Sequence, residues 1–179
     1  TLAGWLLTTI PDGKRIFTIE NGSRELALVR EKDGKVTNSV IHTLTRYSEN
    51  EKQNIDQDML LDMALRFNPE IICVGEMRSS EAYTAQESAR TGHTVLTTIH
   101  SNSCESTYSR MRTLCKRKYD MDDEVLMDLV TEAFPIVVFT KQLENRKRKL
   151  MEIMECEICL VYTSPRPRDG ATSRMTSSA

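Results

Sequence analysis

The sequence predicts an α/β fold built on a mostly parallel sheet with helices on both faces, and three observations carry that prediction. Two short apolar runs, Ile71 to Val74 and Thr94 to Ile99, have the length and turn-residue boundaries of buried strands. A helix-like stretch, Ser79 to Thr91, lies between them and suits the crossover that parallel neighbours require. Strand-like and helix-like segments alternate along much of the chain, as a parallel sheet demands.

In chain order, Thr1 to Thr9 is predicted as a helix that stops at Ile10-Pro11, because proline cannot continue it and disfavours helix in the residue before. Arg15 to Glu20 and Glu25 to Arg30 are predicted strands after the Asp12-Gly13 turn. Asp33-Gly34 is a hairpin turn into Val36 to Leu44, which adds a small antiparallel hairpin region. Asn54 to Phe67 is a helix with Ile55, Met59, Leu60, Met63 and Leu65 approximating one apolar face, ended by Asn68-Pro69. Ser79-Ser80-Glu81 opens the crossover helix, and Gly92 suits its left-handed cap. Helices over Cys104 to Arg117 and Asp122 to Ala133 precede a strand, Phe134 to Thr140, and its return over Gln142 to Glu155.

With 179 residues, 39% hydrophobic and 28% charged, the chain suits one core and one domain, expected over residues 1–158. No apolar run reaches membrane-span length, and Thr1 to Trp5 lacks a basic leader region, so the expected location is cytoplasmic. Cys73, Cys104, Cys115, Cys156 and Cys159 are an odd set that suits reduced core thiols, and Cys156/Cys159 have no second ligand pair for zinc. Residues 159–179 change to a Pro-, Arg- and Ser-rich composition resembling translated sequencing-adapter sequence, and are expected to be a non-native or disordered tail. That tail holds three arginines and one aspartate; removing its +2 from the chain's −2 leaves −4. An acidic core argues against a duplex-binding surface.

In parallel sheets, ligands sit beyond the carboxyl ends of strands. Glu76, after Gly75, and His100, among Thr97, Thr98 and Ser101, both fall there. An acid at such an edge supports a magnesium-bound water or polarises an attacking one in nucleotide hydrolysis; a solvated strand-end acid is the plain alternative. His100 equally suits phosphate sensing or capping of the next helix, whereas His93, at a helix exit, suits capping or packing. Glu20 and Glu25 flank a second glycine-containing loop, Asn21 to Arg24. Arg24, Arg30, Arg46, Arg78, Arg90 and Arg110 are candidate phosphate clamps, since a guanidinium makes paired hydrogen bonds to phosphate oxygens.

Gly75-Glu76-Met77-Arg78 with Glu81-Ala82, Thr91-Gly92-His93, and Thr97 to Ser103 resemble the Walker B and His boxes of the secretion ATPases. These are RecA-like hexameric motors of type II and type IV secretion and type IV pili, and the tight-adherence or Flp pilus type is the nearest in flavour. Phe17 to Leu26 resembles the family's acidic box, with Asn21 standing where aspartate is usual. The resemblance implies a RecA-like P-loop NTPase sheet, ATP and Mg2+ as ligands, and ATP hydrolysis that powers pilin polymerisation or export. It implies Glu76 as the Walker B acid acting on Mg2+ indirectly, Glu20 and Glu25 as acidic-box acids, and His93 and His100 as His-box members. Gly75, Arg46 and Arg78 are implied at the nucleotide. The implied partners are further copies in a homo-hexamer and an inner-membrane platform protein of a secretion or pilus system, at the cytoplasmic face, with no specific nucleic acid.

No G-x-x-x-x-G-K-[ST] phosphate loop occurs in the sequence. The family's loop runs into Thr-Leu and a helix ending in Ile-Pro, as Thr1-Leu2 and Ile10-Pro11 do here, so the expectation is an N-terminally truncated domain, with Thr1 at the nucleotide and these 179 residues inactive alone. Two other classes stay open: a RecA-like nucleic-acid translocase, and a non-catalytic module that packs in a ring.

Overall fold

The computed structural model describes residues 1–156; the expected tail, and Cys159 with it, lie outside the described residues. A four-stranded, wholly parallel sheet forms the centre, built from β1 (Arg15–Glu20), β4 (Ser39–Leu44), β5 (Ile71–Val74) and β6 (Thr94–Thr97) in the order β4-β1-β5-β6. Two antiparallel hairpins accompany it: β2 (Glu31–Lys32) with β3 (Lys35–Val36), and β7 (Ile136–Gln142) with β8 (Arg148–Glu155).

Helices cover both faces, as expected for a sheet buried on each side. On one face α1 (Leu2–Thr8) sets Leu7 against Ile16, Leu28 and Cys73. On the other, α2 (Gln57–Arg66), α3 (Glu81–Arg90), α4 (Cys104–Cys115) and α5 (Asp123–Ala133) close over Phe17, Ile19, Ile72 and Val74. Five of the six β1 residues are buried, so the run shows no polar alternation. At roughly 25 cal/mol per Å2 of apolar area, burying each of these large side chains is worth about 1.5–3 kcal/mol.

Local signals act as their chemistry dictates. Asp33 and Gly34 take φ of 52° and 72°, the left-handed pair of a tight hairpin turn. Gly92 takes φ of 101° where the chain leaves α3. Asp56 and Ser103 cap α2 and α4 through their side-chain oxygens.

Three expectations need correction. The buried apolar face of α2 is Leu60, Leu61 and Ala64, at three- and four-residue spacing, whereas Met59, Met63 and Leu65 are exposed and Ile55 precedes the helix. Residues 25–30 do not form a strand; they are an extended strap in which Leu28 is buried and no ladder forms. Side chains replace the ladder: Asn38 accepts from the Arg30 amide at 2.9 Å and donates to the Leu28 carbonyl at 2.8 Å. Val36 to Leu44 is not one returning strand either. It divides at Thr37-Asn38, and β4 then joins the main sheet parallel to β1, because its apolar positions pack there instead of on the hairpin.

Candidate active site

β5 delivers Glu76 to the carboxyl edge of the sheet. The Gly75 amide donates to the Ile19 carbonyl at 2.8 Å. A Cβ on residue 75 would lie 3.3 Å from that same oxygen and 3.8 Å from Glu20 Cγ, so glycine is what lets the two acidic strand ends approach. Gln57 Nε2 donates to the Glu76 carbonyl at 2.9 Å, and Thr98 Oγ1 donates to the Gly75 carbonyl at 2.6 Å. These bonds hold the backbone on both sides of Glu76.

The Glu76 carboxylate accepts from Arg78 Nη2 and has His100 Nε2 3.2 Å from its other oxygen. The hydrogen bond from Arg78 holds the carboxyl below its usual range, with charge from Arg78, His100 and Arg110 acting in the same direction. Glu76 is therefore an anion at neutral pH, and half-buried. Glu81 fixes the turn that follows by accepting from the Arg78 and Ser79 amides. Beside Glu76 lies an open cleft of about 450 Å3 lined by His100, Ser101, Asn102, Ser106 and Arg110.

Glu20, at the end of β1, is 4% exposed. Its Oε2 accepts from the Glu25 and Leu26 amides at 2.5 and 2.9 Å, whereas Oε1 accepts no hydrogen bond among the described residues. His42 Nδ1 lies 3.6 Å from that bare oxygen. The sheet register places His42 beside Thr18, and Nδ1 lies 2.8 Å from Thr18 Oγ1.

The predicted residues thus separate into groups. Gly75, Glu76, Arg78 and His100 come together, with Glu20 at the neighbouring strand end. Glu25 meets Glu20 through its backbone amide and is itself exposed at the start of the strap. Arg46, just past β4, is exposed at the same edge and pairs with Ile55 through its backbone. Thr1 caps α1 and shares a cleft of about 250 Å3 with Glu25 and Leu26.

His93 lies apart. It precedes β6, with Nδ1 2.8 Å from the Pro69 carbonyl, at the amino edge of the sheet opposite Glu76. Arg30 and Arg90 serve structure: Arg30 bonds Asp12 and the carbonyls ending α1, and Arg90 bonds Glu132 and Glu87. Sequence reasoning missed Gln57 and His42. A helix-start glutamine and a histidine inside an apolar strand were the only signals they gave.

No cluster of three potential metal ligands occurs among the described residues. A single anionic carboxylate at a polar cleft fits magnesium, which keeps several waters and takes phosphate oxygens in place of a protein cage.

The family described as Type II/IV secretion system protein matches residues 1–165. The Protein transport protein HofB homolog of Haemophilus influenzae is 34% identical over 71% of this chain and 24% of its own length. Competence protein ComGA of Halalkalibacterium halodurans is 31% identical over 62% of this chain and 35% of its own. The chain therefore spans only about a quarter to a third of the length of these relatives. The solved VirB11 ATPase of the Brucella suis type IV secretion system shares the fold, with a TM-score of 0.71 at 24% identity over 86% of this chain and 44% of that one.

Proposed function

The chain belongs to the type II/IV secretion system protein family, and on that premise we propose that it supplies the sheet-edge half of an ATP-hydrolysing motor site that drives pilin assembly or export. The single observation that carries the reading is the pair of adjacent acidic strand ends. Glu76 is held anionic by Arg78 with His100 Nε2 3.2 Å away, and Glu20 is buried with one carboxylate oxygen bare.

Two acids in different environments suit two roles. Glu20, anchored through Oε2 with Oε1 buried and unpaired, is the acid to take the proton of an attacking water once the site opens to nucleotide. Glu76 supports and orients water at the phosphates, and Mg2+, when bound, supplies charge neutralisation there. His100, 85% exposed yet touching Glu76, is placed to register what occupies the cleft. Arg78 and Arg46 stand at the rim as phosphate contacts, within the subunit or to the next. Thr1, Glu25 and Gly75 border the same edge, and His93, at the opposite edge, suits a subunit contact. A homo-hexamer on the cytoplasmic face of an inner membrane, docked on a platform protein, is the assembly this reading entails. No helix among the described residues is long and apolar enough to cross a membrane.

The test is phosphate release by the polypeptide encoded in the whole open reading frame, beside its Glu76→Gln and Glu20→Gln variants. Each variant is expected to lose about 10²–10⁴-fold in kcat, the usual worth of a placed acid or base, while still binding a fluorescent ATP analogue. Undiminished turnover in both variants defeats the proposal.

A further inference from the structure

We infer that His42 is a positioning residue for Glu20, donating from Nδ1–H towards the bare carboxylate oxygen and so orienting the base of the proposed hydrolysis. The inference rests on the motor reading above for its catalytic consequence, and on geometry for the contact itself.

The surroundings leave few ways to arrange the protons. Both side chains are nearly closed to solvent, 10% exposed for His42 and 4% for Glu20. Glu20 Oε1 and His42 Nε2 are buried without a hydrogen-bond partner among the described residues. Buried polar atoms in that condition are costly, so a group that relieves one of them is favoured. Nδ1 is the atom shared between Thr18 Oγ1 at 2.8 Å and Glu20 Oε1 at 3.6 Å. A lone pair on Nδ1 would face the carboxylate repulsively; a proton there faces it attractively and still reaches the Thr18 oxygen.

The charged groups around the ring are Glu20 and Arg24. Burial first, and Arg24 second, push the imidazole below its ordinary value of 6.5, while Glu20 opposes them. Cys73, level with Thr18 on the far side, is a thiol pushed up to about 12 and stays neutral. His42 is therefore a neutral donor at pH 7. With Oε2 pinned by two amides and Oε1 faced by Nδ1–H, the buried carboxylate is held in one orientation.

The test combines imidazole NMR with kinetics on the whole-frame protein. Nitrogen and carbon shifts of His42 are expected to report the Nδ1–H tautomer, and to change in Glu20→Gln. An Nε2–H ring indifferent to Glu20→Gln overturns the pairing. In kinetics, His42→Asn puts an amide nitrogen where Nδ1 lies, whereas His42→Gln puts it where Nε2 lies. His42→Asn is expected to keep kcat within about threefold and His42→Gln to lose about tenfold, with the KM for ATP unchanged in both. Equal losses in the two variants, or losses confined to KM, overturn the positioning role. If the unaltered protein hydrolyses no nucleotide, the motor reading and the catalytic consequence fall together, and the NMR result alone decides the contact.

Discussion

Gly75 and Glu76 were legible as single residues because an apolar run that stops abruptly at a glycine and an acid marks the carboxyl end of a buried strand. His42 was not, because its meaning depends on the parallel register that sets it beside Thr18, twenty-four residues earlier. Its burial also makes a prediction about acid sensitivity. The folded pKa lies below 6.5, so the unfolded chain binds more protons as pH falls through that value, and stability falls with it. The loss begins near pH 6.5 and continues down to the folded pKa. The thermal unfolding temperature should therefore drop, between about pH 7.5 and about pH 5.5, by less in His42→Asn than in the unaltered protein. An identical drop would show that His42 does not titrate against folding.

Elements were legible wherever periodicity and caps agreed. The five α-helices among the described residues fall on predicted segments, trimmed at the ends by their caps, and a short 3-10 turn at Glu51–Gln53 was not foreseen. The strap over residues 25–30 shows where pattern alone misleads: Leu26, Arg30 and buried Leu28 do turn inward alternately, as a strand's would, yet no ladder forms there among the described residues. Asn38 supplies the missing backbone partners, at 2.9 and 2.8 Å. Asn38→Ala should cost about 1–3 kcal/mol, the penalty for leaving such groups unpaired. Urea unfolding measures that cost, and limited proteolysis should find new cleavage between residues 24 and 30. A variant as stable and as resistant as the parent would mean that Leu28 packing, the Glu20 carboxylate and the Arg30 side chain hold the strap without Asn38.

Across the whole molecule, several large apolar side chains stand exposed among the described residues. Ile136, Leu150 and Ile153 on the β7–β8 hairpin are 61%, 52% and 65% exposed, and Trp5 on α1 is 62% exposed. β6 is an edge strand of the main sheet among the described residues. Open edges and apolar patches of this kind recruit neighbours. The 179-residue chain is expected to self-associate at tens of micromolar, about the range where weak apolar contacts populate complexes. Sedimentation velocity should show mass rising with concentration, reduced by Ile136→Lys and Ile153→Lys together. A concentration-independent monomer would leave those faces without a binding role.

The order of residues along the chain was enough to specify the helices, the central strands β1, β5 and β6, and the acids Glu20 and Glu76 beside their ends. Apolar runs, glycines, prolines and capping residues act over a few positions, and a strand's end is marked within the strand. Folding in three dimensions settled the rest: which strand ends are neighbours, which carboxylate oxygen is left bare, and that His93 and His100 stand at opposite edges of one sheet. Those facts depend on register and strand order, which are set by side chains packing across long separations, and no local pattern records them.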